Sequence, residues 1–169
     1  MNLSIRRAEA GADGPVVQAL LELYLHDMSE WFQFEINDDG TYGYDMSEYW
    51  ADDEPVYLAE VEGMPAGFAL ICTNPAVPER PAGTLEVEEY FVSRQHRHSG
   101  LSGEFACGVF DTWPGNWLVR VFNRNAPAMP FWRRTVERYT EGDCVTEPVT
   151  TNGNRWTHYH FGPDVRVSR

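Results

Sequence analysis

Apolar and polar positions fall into short alternating runs and a few longer stretches of helical spacing, a pattern that predicts strands and helices in turn. Residues 3–9 begin by alternating and read as an opening strand. A helix follows from Asp13-Gly14-Pro15, with Val16, Leu20 and Leu23 on one face and Val17, Leu21, Tyr24 and Met28 beside them. Proline suits a first turn. Residues 55–62 and 67–71 pair as a hairpin about a turn at 63–66; the second arm lacks alternation, which predicts burial on both faces. Three prolines and a glycine mark 74–83 as a surface loop, and 85–92 is a core strand.

Leu101, Phe105, Val109 and Trp113 recur every four residues and predict a helix to Trp113. Gly108 inside it costs about 1 kcal/mol against alanine, which implies close packing on the sheet. Residues 117–122 form the next strand. A last helix opens at Asn125 with Phe131, Thr135 and Tyr139 in step, and Pro130 predicts a kink or a late start. Residues 144–150 and 155–161 close the chain as two strands about the turn Asn152-Gly153. The order is that of an α/β fold, a mixed sheet of six or seven strands. A chain of 169 residues fits a single domain, 1–169, that buries roughly 70% of its unfolded surface.

Charge adds a direction to this picture. The net charge is -13, and it lies wholly in residues 1–62; the remainder sums to zero, and lysine is absent. Scattered arginines make nucleic acid a poor partner. A cationic small molecule is a better one, although the same acids would also serve solubility. No run of 18 apolar residues and no signal-like start occurs, so neither membrane insertion nor export is expected, and a cytoplasmic protein is. Cys72, Cys107 and Cys144 are odd in number and widely spaced, which predicts reduced thiols. His158 and His160 share a face of the last strand; without a cysteine or acid beside them they read as edge-strand polarity, and no metal is expected.

The junction at 86–103 carries the chemistry. A strand runs into a polar loop and then a helix start, where unpaired backbone N–H groups and the positive end of the dipole suit a phosphate. Arg97-His98-Ser99-Gly100-Leu101-Ser102 resembles the pyrophosphate loop of the GCN5-related N-acetyltransferases: Gln or Arg, two residues, Gly, one residue, Gly or Ala. Ser102 departs at the last position. Asn125-Ala126-Pro127-Ala128-Met129-Pro130-Phe131-Trp132 is similar to a later segment of that family, an Asn with Ala at +3 and aromatics at +6 and +7.

The resemblance implies the acyl-CoA N-acyltransferase fold across nearly the whole chain, with helices on both faces of the sheet. It implies acetyl-CoA as cosubstrate, lying where the fourth and fifth strands part. Backbone groups at Tyr90, Phe91 and Val92 would hold the pantetheine, Arg97 to Gly103 the pyrophosphate, and Asn125 and Phe131 would border it. An acceptor amine attacks the thioester directly, so a carboxylate on the fourth strand is the expected base. Strict alternation places Glu86, Glu88 and Tyr90 on one side and Val87, Glu89 and Phe91 on the other, and favours Glu89 over Glu88. Trp132 fills a slot where many relatives carry a tyrosine acid, which leaves Tyr139 or no acid at all.

In the resembled family the region after the first helix borders the acceptor. Here Trp31, Phe34, Tyr44 and Asp45 belong to an aromatic and acidic stretch, suited to an ammonium but equally suited to a core. The expected activity is acetylation of a small, cationic amine. A non-catalytic acyl-CoA sensor, or acetylation of a protein N-terminus or side chain, are the alternatives. A closing edge strand leaves room for a homodimer.

Overall fold

The computed structural model describes residues 2–51, 54–77 and 80–165. Among them seven strands form one sheet in the order β1-β2-β3-β4-β5-β7-β6. These are β1 (Leu3–Arg7), β2 (Val56–Val61), β3 (Met64–Cys72), β4 (Leu85–Val92), β5 (Trp117–Phe122), β6 (Val145–Thr151) and β7 (Asn154–Phe161). Neighbours pair antiparallel except β4 and β5, which run parallel.

Helix α1 (Ala10–Met28) covers one face, where Val17, Leu21 and Leu25 meet Phe68, Leu70 and Phe91. Helices α3 (Leu101–Phe110) and α4 (Ala128–Tyr139) cover the other, burying Phe105, Phe110 and Trp132 against Trp117, Val119 and Tyr159. A short α2 (Ser47–Ala51) lies between α1 and β2. As the missing alternation implied, β3 is buried on both faces from Ala66 to Ile71. Gly108 also has the reason inferred for it: a Cβ there would stand 2.3 Å from Ile5 Cδ1.

Two local expectations shift, and the choice at Pro130 resolves to a late start. Helix α1 starts at Ala10 because Asp13 closes its first turn, accepting the Glu9 N–H at 2.8 Å and two hydrogen bonds from Arg6. Helix α3 stops at Phe110, and Trp113 is left 42% exposed while the chain turns to bury Trp117. Helix α4 starts late, at Ala128, so Pro130 is its third residue, where its missing N–H is not needed. The closing hairpin holds another change: β7 is interior, between β5 and β6, and the edge is β6 with Pro148 in it.

The sheet opens at its middle. Strands β4 and β5 are in register only over Leu85, Val87 and their partners Trp117 and Val119, with Glu86 opposite Leu118 between them. Beyond those three pairs they part. Opposite β3, Leu70 pairs with Glu89 and Ile71 with Val87, so Glu88 is an extra residue. That bulge overturns strict alternation along β4. Val87 and Tyr90 now share the face under α3 and α4, and Glu89 and Phe91 face Tyr24 of α1.

Candidate active site

A cleft of about 630 Å³ fills the wedge where β4 and β5 separate. Its floor is Glu86 to Tyr90 of β4 and Val119 to Phe122 of β5, and α1 with the chain after it forms one wall. Asn125, Ala128 and Trp132 at the start of α4 form the other, and Trp156 of β7 closes one end.

Three carboxylates reach this floor, each with a fixed partner. Tyr24 donates a hydrogen bond to Glu89, and Tyr49 of α2 donates one to Glu88. Glu86, 2% exposed, accepts from the guanidinium of Arg120 on the neighbouring strand. Burial pushes the Glu89 carboxyl up to about 7, against the opposing pull of the Tyr24 hydroxyl. Burial also raises Glu86 above the usual carboxylate range, with Arg120 opposing. The Tyr24 phenol is raised by burial and by the adjacent Glu89, so it remains a donor. The floor thus presents a carboxyl that exchanges its proton near neutrality beside a carboxylate neutralised by arginine.

Aromatic rings line the approach. Phe32 stacks on Phe122 at 4.7 Å between centroids and on Phe34 at 5.7 Å, and Phe122 meets Trp156 at 5.1 Å. Phe34 and Tyr44 belong to the lining, with Tyr42 and Gly43. Trp31 is not among the lining residues; Phe32, its neighbour, takes that place. Asp45 is exposed, outside the lining, and accepts the Ser47 N–H at 2.8 Å at the start of α2.

At the far end of β4 the chain makes one tight 3-10 turn (Arg94–His96) and enters α3 through Gly100, whose φ is +86°. Glycine is required there by conformation, and a Cβ would meet nothing within 4 Å, so the loop's surface is open. Leu101 and Ser102 begin the helix and have no carbonyl one turn behind them. The Tyr90 hydroxyl donates to the Ser102 carbonyl at 2.5 Å and so ties β4 to this turn.

Arg97 points inward. Its Nε donates to the Val92 carbonyl at 2.6 Å, its Nη2 pairs with Asp27 of α1 at 2.5 Å, and its guanidinium lies 5.3 Å from the Phe91 ring centre. Arg94 binds the same Asp27 carboxylate at 2.5 Å. Burial opposes ionisation of Asp27, yet the two guanidiniums hold its carboxyl below the ordinary range. Arg97 therefore braces the loop against β4 and α1, while exposed His98, Ser99 and Gly100 present its outer surface and Leu101 and Ser102 are buried. Gly103 faces α4, where a Cβ would lie 3.0 Å from Arg138 Nη2.

Asn125 accepts the Ala128 N–H at 3.1 Å and caps α4 while lining the cleft. Phe131 stacks on Tyr90 at 5.9 Å, and Trp132 meets the same ring edge-on at 4.9 Å. Phe91 and Val92 are buried in opposite core layers. Tyr139 is not brought to the cleft: seven residues beyond Trp132 on α4, it donates to Asp111 Oδ1 at 2.9 Å. Glu86, Arg120, Tyr24 and Phe32 are among the lining residues to which the sequence alone gave no named role in the site. A signal existed for one pair, since an arginine inside the apolar run 117–122 demands a buried carboxylate partner.

A model of the Acetyltransferase (GNAT) family matches residues 18–136. No curated protein matches the sequence at a significant level. Among solved structures, an acetyltransferase of the GNAT family from Streptococcus agalactiae is 15% identical with a TM-score of 0.67, covering 96% of each chain. The ribosomal-protein-alanine N-acetyltransferase from Brucella melitensis is 19% identical with a TM-score of 0.57, covering 95% of this chain and 99% of that one. The Bacillus subtilis acetyltransferase in complex with CoA is 13% identical with a TM-score of 0.61, covering 96% and 99%.

Proposed function

The chain belongs to the acetyltransferase (GNAT) family, and on that footing we propose that it transfers the acetyl group of acetyl-CoA to the amine of a small cationic acceptor. The observation that carries the reading is Glu89, a carboxyl held up to about 7 in the floor of the cleft between parted strands. An ammonium must lose its proton before it attacks, and a base works best when its pKa lies near the operating pH. Glu89 accepts that proton, and Tyr24 fixes the carboxylate in place. Glu88 in the same floor is held by Tyr49 and offers a hydrogen-bond acceptor to an incoming ammonium.

The nitrogen lone pair forms the new C–N bond as the C–S bond breaks, the sulfur leaves with the electron pair, and the thiolate then takes up the proton that the new amide nitrogen sheds. Donors for the thioester oxygen are the main-chain N–H groups of β4 past the three pairs, an oxyanion-type role for backbone. Trp132 cannot donate an acidic proton to the leaving sulfur, and Tyr139 is engaged with Asp111. With a thiol pKa near ~8.5, thiolate departs without an acid. The open loop at Gly100 and the first turn of α3 take the pyrophosphate, and Phe32, Phe34 and Tyr44 face the cationic acceptor.

The test is release of free CoA thiol from acetyl-CoA with a panel of monoamines, diamines and aralkylamines, with product mass confirming an N-acetyl adduct. Turnover with a cationic amine, slowed in Glu89→Gln, supports the reading. Tight acetyl-CoA binding with no transfer to any amine or peptide N-terminus supports instead a non-catalytic sensor, which Trp132 in the tyrosine slot permits.

A further inference from the structure

Outside the cleft, one cluster has donors and no use for them. The β6–β7 pairing puts Glu147 directly across from His158, and His160 follows two residues along the same strand face. Together they bring one ligand atom each to within 4.8 Å of one another. His160 Nε2 and Glu147 Oε2 are 3.6 Å apart, too far for a hydrogen bond but near the roughly 3.3 Å edge of a tetrahedron with ~2.0 Å metal–ligand bonds.

The histidines are not edge polarity. Strand β7 is interior, and His158 is 5% exposed. His158 Nδ1 and His160 Nε2 are both buried without a hydrogen-bond partner, a cost that native structures rarely leave uncompensated. The imidazole rings lie 6.0 Å apart, and Glu147 is exposed enough to swing toward them. Arg120, across from His158 on β5, is the cation that would repel an ion, but Glu86 already neutralises it.

We infer that Glu147, His158 and His160 bind one divalent transition-metal ion of the zinc class, with three protein ligands and a fourth position open to water. Two imidazoles and one carboxylate on a strand pair suit a borderline cation better than magnesium or calcium, which prefer oxygen cages. None of the three residues lines the cleft, so the site stands apart from the acetyl-transfer reading.

The test uses the untagged full chain, stripped with chelator and titrated calorimetrically with Zn²⁺, then with Co²⁺ while visible absorption is followed. The expected result is one ion per chain, intense visible bands of tetrahedral Co²⁺, and affinity weakened at least ~10-fold in His160→Ala and in Glu147→Gln. The second substitution is on an exposed side chain and leaves the fold intact, which unfolding with chelator present will verify. Zn²⁺ should also raise the melting temperature of the wild type and not of Glu147→Gln. Wild-type binding no tighter than that of the Glu147→Gln, His160→Ala double variant, or weak octahedral Co²⁺ absorption unchanged by either substitution, would overturn the inference.

Discussion

Glu89→Gln should raise stability and abolish the acidic limb of catalysis together. The substitution keeps an oxygen that accepts from Tyr24 but removes the titrating proton. Burial raises the carboxyl from its ordinary 4.5 to about 7, so between those values the folded chain holds a proton that the unfolded chain has released. Folding stability from this group therefore falls as pH rises through that window, by up to about 3 kcal/mol by pH 8. Glutamine carries no such cost. The stability of the variant minus that of wild type, from urea titrations at pH 4.5 and pH 8, should increase by up to about 3 kcal/mol. Over the same range wild-type kcat/KM should climb with a midpoint near the Glu89 value, and the variant should be slower by roughly 10²- to 10⁴-fold with that limb gone. A stability difference independent of pH, or an acidic limb surviving in the variant, would show that Glu89 neither holds this proton in the fold nor takes one from the acceptor.

Asp27→Asn leaves Arg94 and Arg97 without their shared counter-charge and should cost up to about 1 kcal/mol in urea unfolding, with weaker calorimetric binding of CoA because the loop loses its brace. Gly100→Ala forces φ of +86° on a residue with a Cβ and should cost about 1–2 kcal/mol and lower CoA affinity, while circular dichroism shows the fold retained. Arg6 holds the Asp13 carboxyl down to about 2 from 3.8, so Asp13→Asn should lower stability above about pH 4, with the difference from wild type fading as acid unfolding scans approach pH 2.

Much of the architecture could be read from local pattern, because alternation and four-residue spacing record burial residue by residue. The β3 run, Gly108 and the Asn152-Gly153 turn all carry their tertiary roles in their own side chains or lack of them. The left-handed Gly100 and the helix start after it were legible because backbone conformation makes them. The site was less so where partners converge from distant segments. No spacing along β4 announces that Glu88 is an extra residue, since the bulge belongs to the pairing with β3. Trp31 and Phe32 are both aromatic, and only the exit from α1 decides which faces the cleft. Asp45 looked like a ligand for a cation, but a short acid two residues before a helical N–H has a local use.

Among the described residues, three residue pairs between β4 and β5, with the Leu85 N–H donating to the Asn116 carbonyl just before β5, sew β1 to β4 onto β5, β7 and β6. The sheet is thus two antiparallel blocks with a short seam, and side-chain packing of α3 and α4 must supply most of the adhesion across it. Amides at the seam should report the joining of the blocks, and amides deep in each block the melting of that block alone. A molecule bound in the wedge touches both, so its concentration sets how tightly the halves of the protein cohere.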